Sequence, residues 1–272
     1  MKVLNELVSS TVITVTADEK YLDHVKGLLY SVDQTNPRVK VHVCLIRVNR
    51  HIDKDLKKLH QHTVIQHDDS IYDDRPNRPP DPRAVWSDGK LHIPYPKLVS
   101  DKMCYCVQSK YDHILTNLRD GHRIVYAADA DTLFRKDITP LLQQIDRHDI
   151  TIMDNITNDS IKYNRKRAGW KEGAIGVRKS NLTLKFFRRV RQIIREYGPT
   201  HELGWVIEDR ALSMAYSEMK LDRGYLDPTY KCEDLKPSSH IWSGTGKTKY
   251  KSAKYKKELK KYEEGLSDRD NK

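Results

Sequence analysis

Little in this 272-residue chain favours a disulfide scaffold, a membrane span or a disordered polymer. Only four cysteines occur, Cys44, Cys104, Cys106 and Cys232. They are too few and too irregular for a disulfide framework, and no pair has zinc-finger spacing, so reduced core thiols are expected. No apolar run reaches the roughly 18 residues of a membrane-spanning helix. The opening MKVLNELVSS lacks the apolar stretch of a signal peptide. The sequence therefore predicts a cytoplasmic location, where the sequons at Asn155, Asn158 and Asn181 go unused. There is no internal repeat and no clean linker dividing the chain in two.

Hydrophobic residues make up 38% and charged residues 32%. That is polar for a globular protein, yet apolar periodicity persists along most of the chain and excludes disorder. The net charge is +11, and residues 245–272 alone hold nine lysines and one arginine against five acids. Such a balance suits polyanions: nucleotide phosphates, acidic glycans, anionic lipid or nucleic acid. The same stretch also reads as a solvated basic tail, so the expected division is a domain over 1–250 and a tail over 251–272.

The first sixty residues alternate strand and helix. STVITV gives a strand at 11–16, and Leu22, Val25, Leu28, Leu29 and Val32 keep helical spacing up to Asn36-Pro37. VKVHVCLIRV (39–48) is a second buried strand, and IDKDLKKLH a short helix. This order indicates an α/β fold built on a parallel sheet with Rossmann-like winding. Residues 72–96 hold six of the eleven prolines and form neither helix nor central strand. A helix follows from Asp101 to about Leu118, Gly121 turns the chain, and a buried strand begins at Ile124. Further helices are expected at ITPLLQQI, after the Ser180 N-cap, and at EDRALSMAYSEM, with strands at 149–153 and toward 177.

The strand from Ile124 runs directly into Asp129-Ala130-Asp131. Side chains two residues apart on a strand share a face, so the carboxylates converge, or sit together at the strand's C-terminal edge. That edge is where open α/β sheets bind ligands. Paired carboxylates repel unless they share a cation, and hard ions such as Mg²⁺ or Mn²⁺ accept such oxygens while leaving positions for phosphate. A turn or helix cap explains the same residues without a metal.

The segment RIVYAADADTLFRKDITPLL (123–142) resembles the Asp-x-Asp signature of GT-A fold glycosyltransferases, above all family 8, which includes glycogenin and bacterial lipopolysaccharide galactosyltransferases. The resemblance extends over roughly 11–250 as ordered pieces, and implies a single Rossmann-like mixed sheet flanked by helices. It further implies metal-dependent transfer, with retention, of a sugar from a nucleotide-diphosphate donor, a UDP-sugar, to a glycan, protein or small-molecule acceptor. By position, Ala17, Asp18 and Tyr21, with Thr16 beside them, would hold uracil and ribose; on helical pattern alone Tyr21 is a packing residue. Lys110 stands where the family has an arginine near the diphosphate, though it also suits a solvated helix face. Glu172, Gly173 and Ala174 would line the sugar pocket. Asp209 matches an aspartate near the anomeric carbon, but the family's following glutamine is Arg210 here; Glu208 and Asp209 also read as ordinary first-turn carboxylates.

In SSHIWSGTGKTK, His240, Gly244 and Lys247 resemble the family's closing histidine, glycine and lysine. The resemblance makes His240 a third metal ligand beside Asp129 and Asp131, favouring Mn²⁺ over Mg²⁺. Gly244 and Lys247 would approach the phosphates, and Ala130 lies between the aspartates against the nucleotide. SGTGKT is not a P-loop, because the first glycine of that motif would fall on Ile241. Two other readings remain: a metal-dependent nucleotidyltransferase, and a non-enzymatic basic protein that binds nucleic acid or an acidic surface.

Overall fold

The computed structural model describes residues 2–69, 85–87, 90–92, 101–155, 169–197, 207–244 and 251–270. Its centre is a seven-stranded sheet. Strands β1 (Thr11–Asp18), β2 (Lys40–Ile46) and β3 (Thr63–Asp68) run parallel. A small hairpin, β4 (Val85–Ser87) and β5 (Lys90–His92), precedes β6 (Ile124–Ala128), which pairs in parallel with the other side of β1. Beyond it lie the antiparallel β9 (Gly169–Arg178), then β8 (Ile150–Asn155) and β10 (Arg223–Tyr225). The order is β3-β2-β1-β6-β9-β8-β10. The one reversed strand, β9, makes the sheet mixed, as the family resemblance implies, where the element order alone predicts a parallel one.

β1 and β6 are buried along almost their whole length, on both faces, as a sheet covered by helices on each side requires. Ile13, Val15, Ala17, Ile124, Tyr126 and Ala128 join one core with residues of α2 (Leu22–Thr35) and α5 (Thr139–Ile145). Val12, Val125 and Ala127 join a second core with α4 (Asp101–Arg119), α6 (Asn181–Tyr197) and α7 (Ile207–Met219). The Ser180 cap forms as the sequence predicts: the Thr183 amide donates to Ser180 Oγ at 3.0 Å and the Ser180 amide to Thr183 Oγ1 at 2.9 Å. Gly121, at φ 101°, turns the chain into β6, a conformation few other residues accept.

The chain winds from β1 through α2 to β2, and through α3 (Asp53–Leu59) to β3. It then crosses through α4 to β6 on the opposite side of β1. The strand order thus reverses between β1 and β6, and their C-terminal ends open the crevice that α/β sheets use for ligands.

Several elements lie outside the sequence expectation, among them β3, β10 and two terminal helices. α1 (Lys2–Ser9) precedes β1, and α8 (Ala253–Asp270) occupies the expected basic tail. On α8, Tyr255 and Tyr262 are buried in a third cluster with Tyr30, Leu133, Cys232, Leu235 and Trp242, with Leu259 packed against it. Lys254, Lys256, Lys257, Lys260 and Lys261 are exposed. A two-stranded sheet of β7 (Thr132–Phe134) and β11 (Ile241–Ser243) lies between α8 and the main sheet's edge. Among the described residues, no helix is long and apolar enough to cross a membrane.

Candidate active site

Extended backbone carries β1 to Asp18, where a short 3-10 turn (Glu19–Tyr21) bends the chain aside. Thr16, Ala17, Asp18 and Tyr21 consequently stand at the sheet's edge. The neighbouring β6 ends at Ala128, and the Thr132 amide donates to the Asp129 carbonyl at 3.1 Å, closing a tight turn. This turn answers the conflict of an apolar strand running into two carboxylates: the strand has ended before they begin. A cleft of about 290 Å³ opens between these ends. It is lined by Thr16, Ala17, Asp18 and Tyr21 from β1 and its turn, by Asp129, Ala130 and Asp131, and by Lys110 from α4.

Charge in the cleft is paired. Lys110 Nζ lies 2.7 Å from Glu208 Oε1 and 3.5 Å from Asp129 Oδ1. The Tyr111 hydroxyl donates to the same Glu208 oxygen at 3.0 Å. Glu208 itself lines the cleft, one residue before the expected Asp209. Asp209 and Arg210 follow it on α7, both half-buried, and neither is among the residues that line the cleft. The sequence reading had treated Glu208 as a helix-dipole carboxylate; the helix register, invisible without tertiary contacts, turns it inward.

Gly173 explains itself sterically. Its carbonyl accepts the Asp129 amide at 3.1 Å, and a Cβ there would lie 2.2 Å from both Asp129 Oδ2 and Lys231 Nζ. The glycine lets the Asp129 carboxylate and a buried lysine approach the same face of one backbone strand. Lys231 was not foreseen, and nothing in YKCEDL marks it. It is placed by the Tyr126 hydroxyl, which donates to the Tyr230 carbonyl at 3.1 Å beneath β6. Burial, and after it the charge of Asp129, pushes the Tyr126 phenol up, so it remains a donor. Ala174 pairs with Ala128 and is buried in the sheet. The side chain of Glu172 and the whole of Lys247 lie outside the described residues.

His240 does not join the aspartates. The register of β11 on β7 sets Ser243 against Thr132 and Ile241 against Phe134, and the Arg135 amide donates to the His240 carbonyl at 2.8 Å. His240 is therefore opposite Arg135, four residues along β7 from Asp131, a separation of about 13 Å at the rise of an extended strand. Its Nδ1 is 2.9 Å from the Asp137 carbonyl and its ring packs against Tyr230 at 5.0 Å. The residue that meets Asp131 is Gly244, whose amide donates to the Asp131 carbonyl at 2.8 Å. Its expected role was approach to phosphate. A Cβ on it would instead strike the Tyr255 ring at 2.7 Å, so here the glycine makes room for α8.

A hard divalent cation fits the two carboxylates. Asp131 is 5% exposed yet lines the cleft, Asp129 stands beside it on the same turn, and both offer oxygen. No cluster of three or more His, Cys, Asp or Glu side chains suited to a metal occurs among the described residues. The donor set therefore suits an ion completed by water and phosphate oxygens, without the imidazole expected from His240.

The thiols depart in one detail from a uniformly buried set. Cys44 is enclosed and its thiol is pushed up to about 12, chiefly by burial, whereas Cys106 is half-buried and lines the cleft. Cys232 is buried, and the Cys104 side chain lies outside the described residues.

No protein-family model matches the chain, and no curated protein matches it in sequence. Solved structures do. Glycosyltransferase GlyE of Streptococcus pneumoniae TIGR4 superposes over 94% of this chain with a TM-score of 0.58 at 10% identity. Only 64% of GlyE is covered, so this chain spans just under two thirds of its length. Galactosyltransferase LgtC, solved with donor and acceptor sugar analogs, matches over 94% of this chain and 95% of its own at a TM-score of 0.61 and 10% identity. Mouse xyloside xylosyltransferase 1 matches over 88% and 98% at a TM-score of 0.50 and 12% identity. At such identities the likeness is one of architecture, and it is specific: the chain has the GT-A fold of glycosyltransferases.

Proposed function

We propose that this protein is a glycosyltransferase that takes a sugar from a UDP-sugar and transfers it, with retention, to a hydroxyl-bearing acceptor. The observation behind the proposal is the convergence of Thr16–Asp18, Tyr21, Lys110 and Asp129–Asp131 on one cleft at the strand-order reversal of a glycosyltransferase fold. In this reading β1's edge and the Tyr21 ring take the nucleoside, the backbone reading the base and the ring covering it.

Asp129 and Asp131 would hold Mn²⁺ or Mg²⁺, which neutralises the diphosphate as the glycosidic bond breaks. Lys110 adds a fixed positive charge at the same end of the cleft, where charge grows on the leaving group. Its carboxylate partners hold the ammonium in place before substrate arrives. Glu208, which lines the cleft, takes the place expected for Asp209 as the carboxylate facing the sugar; Arg210 and Glu172 have no assigned step. Gly173 acts through Asp129, whose carboxylate occupies the space beside it, and Ala174 supports the end of β6 from within the sheet. Lys247 keeps only the role the family resemblance implies, a second cation for the diphosphate.

Thermal denaturation with UDP, UDP-glucose, UDP-galactose and UDP-xylose, each with and without MnCl₂, tests this reading. Stabilisation by UDP that requires the metal, and its loss in Asp131→Asn, is the expected result. A protein indifferent to every nucleotide with metal present, or an Asp131→Asn variant that responds like the parent, sinks the proposal.

A further inference from the structure

The last described helix makes a contact that the function above does not use. The Tyr255 hydroxyl donates to the Asp131 carbonyl at 2.9 Å, the same oxygen that accepts the Gly244 amide at 2.8 Å. One helical stretch further on, the Tyr262 hydroxyl lies 3.3 Å from the Phe134 carbonyl and 3.2 Å from Glu258 Oε1, which share its one proton. The two tyrosines are seven residues apart, about 10.5 Å along a helix. Their two carbonyls are three residues apart, about 10 Å along a strand. α8 thus lies beside β7 with its tyrosine spacing matched to that strand, fastened by the Arg135–Glu258 ion pair at 3.4 Å and by Leu259 against Gly27.

Tyr255 also reaches α2 beside the cleft. Its hydroxyl is 3.3 Å from His24 Nδ1, and because its own proton goes to the Asp131 carbonyl, the imidazole is the donor in that contact. The His24 ring is 6.0 Å from Tyr21, which lines the cleft. Burial, then the neighbouring Asp131 charge, pushes the Tyr255 phenol up, so it stays a donor through the neutral range.

We propose that Tyr255 is a positioning residue for Asp131, and that α8 is a strap that fixes the second aspartate against the nucleotide-binding wall at Tyr21. The proposal rests on the reading of the cleft as a UDP-sugar site. A carboxylate that is 5% exposed, on a turn whose carbonyl is held by two donors, has little freedom to leave its place. The strap thereby sets the geometry presented to the cation and the diphosphate.

The test compares Tyr255→Phe with Tyr262→Phe in the full-length protein. Each variant loses one hydroxyl from the same helix, but only Tyr255 touches the aspartate turn. Amide hydrogen exchange at Thr132 and Gly244 reports opening of that turn, and the UDP-induced thermal shift with MnCl₂ reports the cleft. The expected result is exchange at least fivefold faster at both amides in Tyr255→Phe and a five- to tenfold weaker apparent affinity for UDP with metal, with Tyr262→Phe close to the parent in both. Parent-like exchange and affinity in Tyr255→Phe overturn the proposal. Equal losses in the two variants also overturn it, because they make α8 a general stabiliser. If the parent protein responds to no nucleotide, the UDP-sugar reading fails, while faster exchange confined to Tyr255→Phe still assigns the strap.

Discussion

Lys110 and Glu208 meet at 2.7 Å, joining the middle of α4 to the first turn of α7 at the wall of the cleft. The two side chains are 12% and 14% exposed, so removing Lys110 strips a largely buried Glu208 of its cation and leaves it the Tyr111 hydroxyl. Lys110→Met is expected to lower stability by about 2 kcal/mol, within the range for a partly buried charge deprived of its partner. It is also expected to weaken UDP binding at least tenfold, because the cation at the phosphate end is gone. Chemical denaturation and isothermal titration calorimetry separate the two effects, and Lys110→Arg should recover most of the binding. A Lys110→Met protein that binds UDP like the parent removes Lys110 from the site.

Gly173→Ala places a methyl 2.2 Å from the Asp129 carboxylate and the Lys231 ammonium. Both must move, and they move within the cleft's floor. The expected outcome is loss of metal-dependent UDP stabilisation with a melting temperature within a few degrees of the parent. Unaltered nucleotide binding would show that Asp129 has freedom the packing does not suggest.

His240 lies at the far end of β11, with its ring against Tyr230 and its Nδ1 on the Asp137 carbonyl. His240→Ala is therefore expected to keep UDP and MnCl₂ responses within about twofold of the parent, whereas Asp131→Asn abolishes them; twofold is below the roughly 1 kcal/mol of an ordinary contact. Manganese titration followed by electron paramagnetic resonance measures both variants directly. Loss of manganese binding in His240→Ala would return the imidazole to the ligand set.

Acid should destabilise the fold through His113. This side chain is buried between α4 and β2, its ring 5.0 Å from that of His42, and its pKa is lowered to about 4, first by burial and then by the neighbouring imidazole; Asp68 opposes the shift. The unfolded chain binds this proton near the ordinary value of 6.5. Between those values the unfolded state holds more protons, so the neutral imidazole's contribution is intact above about pH 6.5 and fades as pH falls toward 4. The full effect is about 3 kcal/mol. His60, also lowered chiefly by burial, acts in the same direction. Denaturant titrations from pH 7.5 to 4 should show a shallower acid limb for His113→Leu than for the parent; parallel limbs would mean that His113 is not the group responsible.

The parts of this fold that were readable from sequence are those with a sustained apolar pattern. β1, β2 and β6 are continuous apolar runs and α2, α4 and α6 recur with helical spacing, and their limits fall within a few residues of expectation. The aspartate turn was readable because carboxylates directly after a buried strand need a reason. The choice of Glu208 over Asp209 was not, since one residue of helix register turns a side chain by about 100° and only packing against α4 decides it. His240 was misplaced because order along the chain says nothing of strand register, and β11 is three residues long. α8 was hidden by its lysines. Tyr255, Leu259 and Tyr262 recur at helical spacing, but they lie within a stretch whose charge reads as solvated.

The clamp on Asp131 also sets an order of events in folding. The strands that carry the aspartates can pair once residue 128 has emerged, yet both donors to the Asp131 carbonyl come from positions 244 and 255, more than a hundred residues later. Contacts of such separation form late, because a long loop must close first. A nascent chain can therefore pair β1 with β6 well before it acquires a finished binding site. Nucleotide affinity, rather than secondary structure, is the signal that would time the end of its folding.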